Sequence, residues 1–429
     1  MQIELFFMIK EEFMDKNCRI AIIGAGPAGL TAAFYLEKNG FKNYEILERE
    51  DHVGGKCFSP YYKDKRYDMG AILGAPSYDV VQEMMEACGI QIDGDKIYAE
   101  MRDYLSGELT SLTPSESRMI LREIRTLKNL LNEKYQGYDE VGHLNTNPDL
   151  MVTFSEFCKK NALNNIEKVF INPFTSFGYG YLDEIPAIYV LKYLDMATLN
   201  YFLKEELWSF NEGTQSLWER ISYNLINQPI LNVKIDNVKR INNKVIINSN
   251  LFTREYDYLI VTSPLDHLYK FMDVTSVEKE LFSKIETIDY KVYAVTLKNY
   301  PKKTCYIQGN MYRRRLGHTM IYFVKWPMDD KQVVTLYAIG DKNLKTSEIT
   351  KMLYDDMELC GYPINNIVLE KDWYYFPHIN TDNYLAGWYK DVEGLQGNLN
   401  TFYAGEVMSF GDMEETSAYS KNIIDKYFK

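Results

Sequence analysis

The stretch RIAIIGAGPAGLTAAFYLEKNGFKNYEILERE, residues 19–50, constrains this chain more than any other. Ile20–Ile23 is a short apolar run with the β-branched bias of a strand buried on both faces. Gly24-Ala25-Gly26-Pro27-Ala28-Gly29 then fits G-x-G-x-x-G. In that pattern the first glycine permits a tight turn and the second lets main chain approach a pyrophosphate. The third lets the following helix pack closely on the strand. A helix over 28–39 points its first amides at the phosphates, and Gly40 closes it. A second strand over 44–47 leads to Glu48, about twenty residues past the glycines, where a carboxylate accepts hydrogen bonds from ribose hydroxyls. The same charge repels a 2′-phosphate, which disfavours NADP. Strand, glycine turn, helix and acid in this order predict an adenine-dinucleotide site.

The residues after Glu48 select the dinucleotide. Arg49 is followed within a few positions by Gly54-Gly55-Lys56, and a glycine pair there lets the chain pass beneath a pyrophosphate towards an isoalloxazine ring. An NAD dehydrogenase has no need of it. Asp68-Met69-Gly70-Ala71 reads as a short strand whose small residues lie against a flat ring. Near the end of the chain, 400–406 reads as a strand finishing in Gly405-Glu406, and a helix over 413–427 offers a second N-terminus to phosphate or to a flavin oxygen. No cysteine or histidine neighbours Glu406, so FAD is expected to be bound non-covalently.

Composition removes other classes. A formal net charge of −12 argues against nucleic acid. No run of eighteen apolar residues predicts a membrane span. The apolar run 3–9 is broken by an acid and lacks a basic start; it is read as a weakly membrane-touching helix or as a consequence of a misplaced start codon, not as a signal peptide. Six scattered cysteines without a C-x-x-C read as reduced cytoplasmic thiols, and five dispersed histidines offer no metal site. No G-x-S-x-G elbow points to a serine hydrolase. The 35 tyrosines and 21 phenylalanines suit an apolar or planar ligand as well as ordinary packing.

The glycine motif, the Gly-Gly pair and the Gly405-Glu406 strand together resemble the flavin-containing amine oxidase and phytoene desaturase superfamily. So do the turn 212–217, the strand 233–241 and the strand 257–265. The resemblance implies an α/β fold: a Rossmann-type, GR2-like FAD-binding domain with a mixed α+β substrate domain, as in amine oxidases. It places adenine against the main chain around Val238. The FAD domain is then discontinuous, over 16–92, 208–265 and 394–429, with an N-terminal extension over 1–15. A mostly helical insertion fills 93–207, with an apolar stripe (Met119, Ile120, Ile124, Leu127, Leu131) on one of its helices. A substrate domain with an antiparallel sheet fills 266–393, its strands expected at 290–297, 319–323 and 333–339, followed by an amphipathic helix over 347–360.

Longer segments narrow the resemblance: NPFTSFGYGY (172–181), DWYYFPH (372–378), YLAGWY (384–389), FYAGEVMSFG (402–411) and MGAILGAPSYD (69–79). These are similar to the FAD-dependent polyunsaturated fatty acid double-bond isomerases, which convert linoleic acid to a conjugated diene. The resemblance implies hydride transfer from the bis-allylic carbon to flavin N5 and its return to another carbon, with no net redox change and no catalytic side chain beyond the flavin. It implies a polyunsaturated free fatty acid as partner, held by aromatic faces among Phe174, Phe177, Tyr179, Phe202, Tyr375 and Phe376, with Phe202 lining the acyl channel. Transient contact with a membrane surface follows from a substrate that partitions into bilayers; oligomeric state does not follow. The segment 93–99 departs from the family by carrying Ala99 where an arginine meets the carboxylate; Lys96 and Arg102 are nearby but off register, and the run Arg313-Arg314-Arg315 reads as a solvated charge run. Lys291 is the residue that keeps an oxidase or desaturase open as an alternative, since amine oxidases often hold a lysine near N5. Exposure near a strand end is its expected state. A non-catalytic flavin-binding protein is the remaining alternative.

Overall fold

Four short strands do what the glycine-rich stretch requires. In a computed structural model that describes residues 14–145 and 147–429, Ile20–Ile23 is wholly buried and runs parallel to both Tyr44–Leu47 and Tyr258–Val261. Thr401–Tyr403 adds to Tyr258–Val261, again in parallel, and completes the sheet. The apolar run 3–9 lies outside the described residues. Helix Pro27–Lys38, with proline at its first turn, packs against helix Met413–Tyr427. Gly29 sets how closely helix and strand approach: a Cβ there would stand 1.9 Å from the Gly24 carbonyl oxygen.

The second sheet has seven strands, in the order Ile364–His378, Glu286–Leu297, Val334–Ile339, Ile321–Phe323, Thr304–Gln308, Ala99–Asp103 and Leu109–Thr110. Strand periodicity divides its residues between two cores. Tyr290, Val292 and Ala294 face the body of the protein, while Tyr293, Val295 and Leu297 face helix Thr346–Leu359 through Ile349, Leu353 and Met357. Both faces are covered, so the strand reads as a nearly continuous apolar run.

Four expectations change. The segment 93–207 is helical from Pro114 onward, but its two leading strands join the large sheet, Ala99–Asp103 pairing in parallel with Thr304–Gln308. All five residues of Ala99–Asp103 are half-buried, so no alternation marks it as a strand. Residues 68–71 form a bent crossing in place of a strand: Met69 and Ala71 donate to the Phe58 and Lys56 carbonyls, and a Cβ on Gly70 would lie 1.8 Å from the Lys56 oxygen. Lys291 is covered, not exposed. Its Nζ lies 2.9 Å from Asp372 Oδ1 and 3.3 Å from Asp289 Oδ1, and the two carboxylates neutralise it. In helix Pro114–Lys134, capped by Thr113 and Glu116, Ile120, Leu127 and Leu131 are buried while Met119 is exposed, so the stripe is narrower than expected. Among the described residues no helix is long and apolar enough to cross a membrane.

Candidate active site

The start of helix Pro27–Lys38 is prepared for an anion. Gly26 is its N-cap, no side chain caps it, and Pro27 lacks an N–H, so the amides of Ala28 and Gly29 have no intrahelical acceptor. Gly55 lies directly across: a Cβ on it would stand 3.2 Å from Gly26 Cα, so a side chain there crowds the cradle. Glu48 is buried and clamps the turn from beneath. Its Oε2 accepts from Ala25 N–H at 2.7 Å and its Oε1 from Glu50 N–H at 2.9 Å, leaving lone pairs for hydroxyl donors. Glu48→Ala is therefore expected to weaken FAD retention about tenfold or more while turnover persists in excess FAD, measured by titrating the apoprotein with FAD.

The groove opens into a cavity of about 720 Å³, mouth included. Its lining combines Pro27, Lys56, Gly70, Ala71 and Glu406 with the rings of Phe177, Tyr179, Tyr193, Tyr290, Tyr337 and Tyr375. The rings form a continuous cage, with Tyr179 centred 4.6 Å from Tyr193 and 5.5 Å from Tyr375, and Tyr290 5.0 Å from Tyr375. Gly178, with φ +90°, permits this: a Cβ on it would strike the Tyr290 ring at 2.7 Å. Burial pushes the phenols of Tyr179, Tyr193 and Tyr290 well up, so they remain neutral donors. Lys56 Nζ bonds Glu406 Oε2 at 2.6 Å and lies 5.0 Å from the Tyr375 ring centre. Asp412 caps helix Met413–Tyr427 through Glu415 N–H, and burial together with the Glu415 carboxylate pushes its carboxyl well up.

Several sequence candidates thus meet in one cavity: Lys56, Gly70, Ala71, Glu406, Phe177, Tyr179 and Tyr375. Phe174 and Phe376 are buried behind the cage, against Tyr179 and Phe410, and Phe376 takes φ +44° where the pairing of Ile364–His378 with Glu286–Leu297 is irregular, so Tyr375 and Phe376 are both buried in place of alternating. Phe202 is half-buried at the edge, 6.3 Å from both Phe177 and Tyr193. Gly405, with φ +108°, turns the chain from its strand into Glu406.

Two candidates are elsewhere. The Arg49 side chain is 79% exposed and bonds Glu50, so it does not reach the groove. Val238 donates its N–H to the Phe271 carbonyl and accepts from Asp273 N–H, which leaves no main-chain edge for a base; Val233, whose N–H bonds the Glu48 carbonyl, is the residue of that segment beside the ribose acid. Ala99 presents no charge, and of the arginines considered with it Arg102, Arg313 and Arg315 are committed, while Arg314 lies over the Tyr312 ring. Arg102 bonds Tyr322, Tyr362 and the Gly107 carbonyl; Arg313 lies near Glu184 and Asp341; Arg315 bonds Asn310 and lies near Asp356. Sequence reasoning missed Tyr78, Tyr193, Tyr290, Tyr337, Cys57 and Asp412 in the lining. The strand alternation at 290–297 and 333–339 was a signal for two of them, but which parity faces a ligand depends on register: Tyr290 opposes Ile339 and Val292 opposes Tyr337.

The description "flavin containing amine oxidoreductase" matches residues 27–411. The chain belongs to that family. Its cofactor is the flavin FAD, and the uncapped helix start, the Gly26–Gly55 cradle and Glu48 fit the adenine-side phosphates and ribose. Within the family, the chain is similar to the crystal structure of a CLA-producing fatty acid isomerase from P. acnes: 44% identity, TM-score 0.94, covering 97% of this chain and all of that one. It is 26% identical over 204 residues to the polyenoic fatty acid isomerase of Ptilota filicina, a match spanning 41% of each. A cyclohexylamine oxidase from Brevibacterium oxydans shares the fold at TM-score 0.70 and 15% identity.

Proposed function

We propose that this protein is an FAD-dependent isomerase of polyunsaturated free fatty acids, which converts linoleic acid to a conjugated diene. The observation that carries the reading is the single cavity in which the cofactor groove runs into aromatic walls. Bound FAD supplies a hydride acceptor and donor, so one carbon of the acyl chain loses a hydride and another regains it without net oxidation. The side chains need only arrange and shield that exchange. Phe177, Tyr179, Tyr193, Tyr290 and Tyr375 exclude water and present ring faces to the positive charge that develops on a pentadienyl system. Their hydroxyls stay protonated, so no phenolate competes to remove a proton. The charges of Lys56 and Glu406 cancel in their ion pair.

Amine oxidases often hold a lysine near the flavin. Lys291 is turned away, held by Asp289 and Asp372, and the neighbouring inward position carries Tyr290. FAD is held non-covalently on this reading: Cys57 lines the cavity, but burial pushes its thiol up and keeps it unreactive. Phe202 stands at the edge of the cage and guides the acyl chain. Phe202→Ala is expected to leave the flavin spectrum unchanged while lowering kcat/KM for linoleic acid about tenfold, the effect of about 1.4 kcal/mol of lost apolar contact. Unaltered kinetics would remove it from the channel.

Anaerobic incubation of the FAD-loaded protein with linoleic acid tests the function. Conjugated-diene absorption is expected to rise over many turnovers while the flavin stays mostly oxidised. A flavin that bleaches once, and recovers only when oxygen is admitted, would identify an oxidase or desaturase instead.

A further inference from the structure

Beside the aromatic cavity lies a second one of different character. Its apolar walls include Ile97, Phe210 and Phe323, and Lys96, Lys302, Lys303 and Lys325 are set around them together with Asp95. Lys325 is spent within the fold, donating to Asp68 Oδ2 at 2.6 Å and to the Phe210 carbonyl at 2.9 Å. Lys96, Lys302 and Lys303 pair with no carboxylate among the described residues. Three ammonium groups without an ion pair, against the one carboxylate of Asp95, give this apolar-walled cavity a positive balance in a chain of net charge −12.

The two cavities share one face of the seven-stranded sheet. Tyr337 lines the aromatic cavity and opposes Ile321; Phe323, two residues further along and hence on the same face, lines the second. Such a diagonal pair stands about 7–8 Å apart. The covering segments are continuous as well. Residues 94–98 run into Ala99–Asp103, whose Met101 sulfur contacts Asn172, close in sequence to Phe174 and Phe177. The chain beyond Phe202 leads to Ser209 and Phe210 at the second cavity.

We propose that the second cavity is the anion subsite of this enzyme, where Lys96, Lys302 and Lys303 take the carboxylate of a free fatty acid while its chain follows the sheet face into the aromatic cage. The inference rests on the isomerase reading above. The carboxylate meets positive charge, its first methylenes meet Ile97 and Phe323, and the unsaturated region lies at the rings. The lysines are exposed, so the attraction is screened by salt.

The experiment compares oleic acid, which lacks a bis-allylic carbon and does not react, with methyl oleate. Both are titrated into FAD-loaded wild type, into K96E/K302E/K303E, and into the milder K302Q/K303Q, following the flavin's visible spectrum and the partition of labelled lipid. The charge-reversed protein is expected to bind the acid about tenfold or more weakly and the ester unchanged, with the glutamine pair shifted less in the same direction. Raising salt should weaken acid binding in wild type and not in the charge-reversed protein. Equal weakening of acid and ester, or of neither, overturns the subsite. If wild type fails to convert linoleic acid, the isomerase reading falls, and the acid-to-ester comparison still decides whether the lysines hold a carboxylate.

Discussion

Gly26→Val is expected to fold and to purify without yellow colour. The folded chain itself tolerates a side chain there: an added Cβ would lie 3.6 Å from Gly55 Cα, an ordinary contact, and Gly26 has φ −80°, which any residue adopts. The branched methyls would instead occupy the space above the helix start, where the amides of Ala28 and Gly29 await a phosphate. Losing two charge-assisted hydrogen bonds of about 1.5–3 kcal/mol each corresponds to a fall in FAD affinity of roughly 10²–10⁴-fold. The check is the flavin absorption of the purified variant, with thermal unfolding compared to FAD-stripped wild type. A yellow Gly26→Val protein would mean that the pyrophosphate does not lie against this turn. Gly29 is the contrasting position, because its Cβ would collide with the Gly24 carbonyl at 1.9 Å, so substitution there reports on the fold and not on the cofactor.

The difference between these two glycines shows what was legible in the sequence. Motif spacing speaks of main chain: where it must turn, where it must touch, where a helix must begin. All of that is local, and the strand, turn, helix and acid at 20–48 lie where the spacing places them. The family resemblance then identified the aromatic segments, and Phe177, Tyr179 and Tyr375 do reach the cavity. What the sequence did not contain was depth. Phe174 and Phe376 carry the same side chain as Phe177 and sit one layer behind the cavity, and the φ of +44° at Phe376 interrupts the strand's alternation, so that Tyr375 and Phe376 are both buried while only Tyr375 lines the cavity. Tyr290 and Lys291 are neighbours of opposite fate for the complementary reason that period-two geometry separates them, one to the cavity and one to two carboxylates. Val238 fails differently. It lies on a strand of the right kind, but Phe271 and Asp273, distant enough in sequence to be unpredictable partners, already occupy its main-chain groups.

The same long-range pairing underlies the largest expected loss of stability. Arg240 is enclosed, its side chain 1% exposed, and its guanidinium bonds Glu278 through both terminal nitrogens at 2.7 Å, Asp273 at 2.9 Å and the Tyr403 hydroxyl at 3.1 Å. Arg240→Ala strands the Glu278 carboxylate, itself 2% exposed, and is expected to cost about 3–5 kcal/mol, a large part of the 5–15 kcal/mol typical of a domain. Urea unfolding in excess FAD measures it. Two further results separate a stranded charge from lost packing. The deficit should shrink as pH falls, because the unpaired carboxyl in the variant has a folded pKa above its unfolded one, so its penalty exists only above the unfolded value and disappears below it. Replacing both partners, as Arg240→Met with Glu278→Leu, should recover most of the loss, since neither charge is then left buried alone. A deficit that is constant with pH and persists in the double variant would assign the cost to packing. The consequence reaches the cofactor because Tyr403 ends the strand that turns through Gly405 into Glu406: releasing its hydroxyl from Arg240 loosens the wall to which Lys56 is bonded, and FAD should dissociate faster from Arg240→Ala even under conditions where the protein remains folded.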